Sequence, residues 1–448
     1  MKIAALLLAL AFPALASTGL PAGVKPLPRK AAAHLEELLR AAETYRGLAA
    51  RRPVPAGTVD SRRLREKVAG SIAEDYTAEE LRSLETSLKA FGLIPESLDL
   101  KRYLPELLSS QVAGFYDPER KYLALVRPEK GMPAGADDTV LVHELTHALQ
   151  DQSFDLRRLE SHDPLSDAGT ALTALVEGDA TLVMLDQQMG LRAESSPEAA
   201  AALERMMGDP EKLIAASPDF PGARELAAAP AWLRETLLFS YFQGSVFCVS
   251  ARRRGGQTLL DYAYTTDPPR STEQILHPDK WHGRRDDPVV LQLPDLAGEL
   301  PGYRKTAEGV MGELSLRIFL REGLPEGLRD RAEAAAAGWG GDRFAVYQKD
   351  GEKDGGRLVA WVTDWDTEAD AAELRSALAG LEGWRAEAAG PRRVIALRGS
   401  LAPERWEAVR ARLAAAEAVR PTNKDIDLQA IGAGPTPRPG APSPAGGR

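Results

Sequence analysis

The run Val140-Leu-Val-His143-Glu144-Leu-Thr-His147-Ala-Leu-Gln150 constrains this chain more than any other stretch. Two imidazoles and a carboxylate stand inside a segment otherwise made of Val, Leu, Ala and Thr. On a helix, His143 and His147 fall on one face, one turn apart, where both rings can grip a single zinc ion. Glu144 lies beside the first ligand and can act on the metal's water without ligating the metal itself. Buried imidazoles must be paired or metallated. The plain alternative is a core helix whose histidines are satisfied by hydrogen bonds. The chain has only six histidines in 448 residues, so this pattern rarely arises by chance.

A catalytic zinc needs a third protein ligand and one open position. No histidine follows closely on His147, so the third ligand is sought elsewhere. Glu177 stands in the middle of the apolar stretch Ala171-Leu-Thr-Ala-Leu-Val-Glu177-Gly178-Asp179-Ala-Thr-Leu-Val. A charge placed there needs compensation, and zinc supplies it. An arginine partner or an exposed stripe are the alternatives. Gly178 allows a neighbouring helix to come close. Asp179 points to roughly the opposite side of the helix and is the weaker candidate. Asp151, one turn beyond His147, is a candidate partner for that histidine.

The rest of the chain reads as α+β. Residues 1–16 look like a signal peptide, with Lys2, an apolar run from Ile3 to Phe12, and Ala14 and Ala16 before the cleavage point. That run is too short for a membrane anchor, so the protein is expected to be exported, to the periplasm or beyond. A linker and helical region occupies 17–103. It includes helices near 59–75 and 77–91, the second opened by a Thr77/Glu80 capping box. Residues 111–116 and 122–126 read as a hairpin around the turn 117–120. Helices are predicted over about 139–153, 167–190 and 230–251, with a loop over 261–290 and an amphipathic helix over 311–321. The main domain is expected to span 104–335, with a small α/β module after it over 336–422. A Pro- and Gly-rich tail occupies 423–448 and is expected to be disordered from about 432. The net charge of −9 argues against a nucleic-acid partner. The single cysteine, Cys248, excludes an intrachain disulfide and reads as a core residue. Oligomeric state is not legible.

The spaced blocks resemble a gluzincin metallopeptidase: His-Glu-x-x-His on one helix and a glutamate on the next. More narrowly, the chain is similar to a mostly uncharacterised bacterial and archaeal group. The shared blocks are Val112-Ala-Gly-Phe-Tyr116, His143 to Gln152, Leu175-Val-Glu-Gly-Asp-Ala180, Ser271-Thr-Glu-Gln-Ile-Leu-His277-Pro278, Trp339-Gly-Gly-Asp342 and Trp365 to Asp370. The resemblance implies a mainly helical, zincin-like catalytic domain with a small edge sheet. It also implies Zn2+ held by His143, His147 and Glu177. Thermolysin-like members place an aspartate four residues after the third ligand, to orient a zinc-bound histidine. Thr181 stands there instead.

The implied reaction is hydrolysis of a peptide or protein substrate, with Glu144 as general base and proton donor to the leaving amine. His277, Tyr241 and His282 are candidates to stabilise the oxyanion. For His277 the alternative is loop packing, and for Tyr241 a place in a core helix. Glu273 could anchor its own loop. The hairpin offers an edge to which an extended peptide could add, along 111–116 or 122–126. Two other functions fit the same ligands: a zinc hydrolase of another amide or ester, and an exported non-catalytic protein on this scaffold. The intact Glu144 counts against the second. The basic run Arg252–Arg254 reads as a solvated helix end. Gly338–Gly341 lacks the setting of a phosphate loop.

Overall fold

The computed structural model describes residues 19–126, 138–159, 161, 163–207, 222–352 and 356–433. The expected signal peptide and most of the tail lie outside them. The fold is α+β, and its N-terminal region is woven into the central helices and their sheet. Helix α1 (Arg29–Arg46) buries Leu35, Leu38 and Ala42 along one stripe and stops at Gly47, whose φ of 74° is left-handed. That stripe packs on Leu141, Leu145 and Leu149 of the histidine-bearing helix.

Strands β1 (Lys25–Pro26) and β2 (Ala56–Val59) come from the same region. β2 pairs in parallel with β4 (Tyr122–Val126), whose other side carries β3 (Gly114–Asp117), giving the order β1-β2-β4-β3. The hairpin is present, and of its two strands only β3 lies at an edge of the sheet. Helix α2 (Ser61–Asp75) is capped by Asp60, and α3 (Ala78–Phe91) by the Thr77/Glu80 box. Helix α4 (Leu100–Ser110) runs through Pro105.

The centre is three helices. α5 (Asp138–Phe154) carries the two histidines and α6 (Asp167–Met189) carries Glu177. α7 (Ala231–Thr265) is longer than its apolar pattern suggests. It continues past 251, into the expected loop, by a break at Gly255 and Gly256, the latter with φ 67°. α6 and α7 cross where two glycines face each other: a Cβ on Gly178 would lie 2.0 Å from the Gly244 carbonyl carbon. α6 is long and apolar enough to cross a membrane, but it is the buried helix of the core. Two short helices come next, α8 (Thr272–Leu276) and α9 (Asp279–His282).

After a short strand β5 (Val290–Gln292), the C-terminal part is an antiparallel sheet of order β6-β7-β8-β10-β9. Its strands are β6 (Tyr303–Gly309), β7 (Trp339–Lys349), β8 (Arg357–Trp365), β9 (Trp384–Ala388) and β10 (Arg393–Arg398). β6 lies well ahead of residue 336, where the sequence suggests the module starts. Helix α10 (Gly312–Gly323) intervenes between β6 and β7. Alternate residues face opposite ways along a strand. Val359 and Trp361 of β8 enter the large core shared with α3 and α10, where Phe91, Phe319, Phe344, Trp361 and Trp384 cluster. Leu358, Ala360 and Val362 face a second core, closed by α12 (Pro403–Leu413). α11 (Glu368–Leu378) covers the first face. Both faces are buried, which explains the unbroken apolar run in β8.

Candidate metal centre

α5 holds His143, Glu144 and His147 because its buried positions go almost all round the helix, between α1, β3 and α6. The one-turn spacing brings the two rings edge to face, with centroids 4.6 Å apart. Their Nε2 atoms are 3.0 Å apart. Glu177 Oε2 lies 3.2 Å from Nε2 of His143 and 3.4 Å from Nε2 of His147. A tetrahedral zinc with ligand bonds of about 2.0–2.1 Å requires ligand atoms about 3.3 Å apart. The three atoms fit that edge length.

The electrostatics point the same way. Burial works against charge on both rings and leaves His143 below the usual histidine range. At His147 the hydrogen bond and charge of Glu177 outweigh burial and hold the ring above it. Burial pushes the Glu177 carboxyl up, but hydrogen bonds from the two imidazoles hold it below the usual range. One proton shared between His147 and Glu177 still leaves Glu177 Oε1 buried without a partner. A divalent cation serves all the converging acceptors at once.

Glu144 is buried beside them, and its Oε2 accepts the Tyr116 backbone N–H at 2.8 Å. The Val126 N–H bonds to the Ala113 carbonyl, so by antiparallel alternation the backbone groups of Gly114 and Tyr116 turn away from β4. Glu144 therefore sits on the edge of β3. Burial, with the charge of Glu177 adding to it, pushes the Glu144 carboxyl up to about 8. Tyr241, from α7, stacks on His143 at 5.8 Å between ring centroids. Burial pushes its hydroxyl well above the usual tyrosine range, so it stays a proton donor.

Two of the other sequence candidates are held elsewhere. His277 is at the end of α8, and its Nε2 is 3.0 Å from Glu313 Oε1. Thr272 ties the start of that helix to Asp167, ten residues before Glu177 and about 15 Å along the α6 axis. His282 Nε2 is 2.9 Å from Ser250 Oγ. Glu273 does anchor its loop, accepting from Lys280 Nζ at 2.6 Å. A second acidic group, Glu273, Asp286 and Asp366, is filled by that same ammonium.

The expected pairing of Asp151 with His147 is not made. Asp151 accepts from Tyr116 Oη and from Lys121 Nζ, each at 2.8 Å, and so pins the hairpin to α5. The partner of His147 Nδ1 is Gln150 Oε1, at 2.8 Å. A three-residue spacing on a helix puts Gln150 on the same side as His147, a signal present in the sequence and unused. Arg46, which reaches the same polar cluster from α1, had no such signal.

No curated protein and no solved structure matches the chain. Residues 299–422 match a family described as a domain of unknown function (DUF8575), a segment that takes in the C-terminal sheet and its helices α10, α11 and α12.

Proposed function

We propose that this protein is a zinc-dependent peptidase of gluzincin type, on a zincin-like helical domain, acting outside the cytoplasm on peptide or protein substrates. One observation carries the reading: His143, His147 and Glu177 converge at zinc-ligand spacing with Glu144 beside them on a sheet edge. Zinc held by those three residues would supply Lewis acidity toward a substrate carbonyl and a water. Glu144 takes the proton of the attacking water and delivers it to the leaving amine. A nearby cation favours the ionised carboxylate and so offsets the effect of burial on Glu144. The Tyr241 hydroxyl is assigned to the developing oxyanion. The β3 edge favours a peptide over other amides and esters, because an extended chain can add to Gly114 and to the Tyr116 carbonyl by backbone hydrogen bonds, the Tyr116 N–H being held by Glu144.

Metal content and hydrolysis of a mixed unstructured protein substrate test this on wild type and Glu144→Gln. The expected result is about one zinc per chain in both, as three ligands and one open position require, with cleavage by wild type alone. Absence of zinc from wild type overturns the site. Zinc without cleavage overturns the peptidase reading and leaves a non-catalytic scaffold.

A further inference from the structure

Behind His147 lies a buried chain of hydrogen bonds whose direction is set from its far end. Arg46, at the last turn of α1, is fully buried and can only donate. Its Nε donates to Asp179 Oδ2 at 2.6 Å, and its other nitrogens donate to Asp261 and Gln257. The Asp179 carboxyl meets that guanidinium as an acceptor. Its Oδ2 also receives Gln150 Nε2 at 2.9 Å and Tyr264 Oη at 3.0 Å. Gln150 Nε2 further donates to the Val176 carbonyl at 3.1 Å. The amide nitrogen of Gln150 is thereby committed, and its oxygen must face His147. An amide oxygen can only accept, so Nδ1 of His147 carries the hydrogen. The lone pair of Nε2 is then left to face His143 and Glu177. Arg46, Gln150, Asp179 and Glu177 are all 0% exposed and His147 is 1%, so water is shut out of every link.

We propose that Arg46, Asp179 and Gln150 are positioning residues that lock His147 in the Nδ1–H tautomer with Nε2 aimed at the metal. The neutral amide of Gln150 does the work that a carboxylate does in many zinc sites. Asp179, weighed in the sequence as a ligand, acts one step further back. Helix α1 is thus a working part of the metal centre, about a hundred residues ahead of it in sequence. The inference rests on the zinc reading above.

Two substitutions separate positioning from mere packing. Gln150→Met removes both the donor to Asp179 and the acceptor for His147 Nδ1–H, whereas Gln150→Glu keeps the acceptor and, protonated on the oxygen that meets Asp179 Oδ2 and the Val176 carbonyl, the donor as well. Zinc affinity is measured by chelator competition on the full chain. Losing an outer partner of a zinc-bound histidine costs about 10–100-fold in affinity, so Gln150→Met is expected to weaken binding by that factor. Gln150→Glu is expected to stay within about threefold of wild type, since its acceptor is retained. Equal losses in the two variants, or none in Gln150→Met, overturn the positioning role while leaving the zinc site standing. A wild type that binds no zinc overturns both. Should Gln150→Met not fold, the ring nitrogens of 15N-histidine-labelled wild type decide the matter. His147 carrying a proton on Nδ1 in the zinc-free protein supports the chain, and a proton on Nε2 alone overturns it.

Discussion

Two buried carboxylates in this molecule have opposite surroundings. Asp342, in the C-terminal sheet, accepts the backbone N–H groups of Met311 and Gly312 and the indole N–H groups of Trp339 and Trp361, at 2.9–3.1 Å. Both its oxygens are served. Glu177, in the central helices, has one oxygen without a partner and the other facing two imidazole nitrogens. Burial is the same in the two cases, at 2% and 0% exposure, so burial alone does not mark a functional site. Nor does one unpartnered oxygen, which Asp179, Glu194 and Glu313 share; the two imidazole nitrogens at zinc-ligand spacing from Glu177 do. A carboxylate ringed by donors is complete as a structural pin, whereas one that meets other acceptors is complete only with a cation.

That contrast breaks first under substitution. Asp342→Ala leaves two indole and two backbone N–H groups buried without an acceptor, at a cost of about 4 kcal/mol or more. Its Tm should fall sharply. Glu177→Gln, melted in excess chelator, removes a buried charge that lacks enough donors. Because the two imidazoles hold that charge, its Tm should fall below that of wild type in chelator, but by less than that of Asp342→Ala. A Glu177 variant that melts as low as Asp342→Ala would show that Glu177 is a structural pin as well.

Metal removal sharpens the same comparison with a smaller effect. A ligand that binds only the folded chain stabilises it by about 3 kcal/mol at a hundred times its dissociation constant. Chelator should therefore lower the Tm of wild type, leave Glu177→Gln unmoved, and lower a conservative Asp342→Asn variant by as much as wild type. A shift of equal size in Glu177→Gln would place the stabilising ion elsewhere.

The residues of the candidate metal centre could be picked out in the sequence because their signal is local. His143 and His147 are one turn apart, and Glu177 interrupts an apolar helix that has no obvious place for a charge. The capping box at Thr77, the hairpin and the apolar strands of the C-terminal sheet were legible for the same reason. What sequence reasoning missed depends on partners far away. β2 lies among Pro53, Pro55 and Gly57, which read as breakers, and it is a strand because β4 offers a parallel ladder. Helix α4 contains Pro105, and its burial of Leu104, Leu107 and Leu108 outweighs the local penalty. α7 crosses the Gly255-Gly256 break because Leu259, Leu260 and Ala263 have core to enter. Arg46 serves Asp179 across 133 positions of sequence, and no periodicity in α1 announces it.

His282 is the opposite case, a buried polar atom that lacks a partner while nothing converges on it. Its Nε2 meets Ser250, and its Nδ1 is buried alone. Burial outweighs the nearby Asp279 carboxylate, and the ring stays neutral. Burial lowers its pKa to about 4. The unfolded ring titrates near 6.5, so below that pH the unfolded chain takes up a proton that the folded chain refuses. Stability is lost as pH falls from about 6.5 toward 4, by about 1 kcal/mol between pH 7 and 5.5. His282→Gln keeps a partner for Ser250 and removes the titration. Its Tm should fall less than that of wild type over this interval, with chelator present in both. Equal slopes would mean that His282 is charged in the fold, and that an unpartnered nitrogen in this protein is no guide to the charge its site will bear.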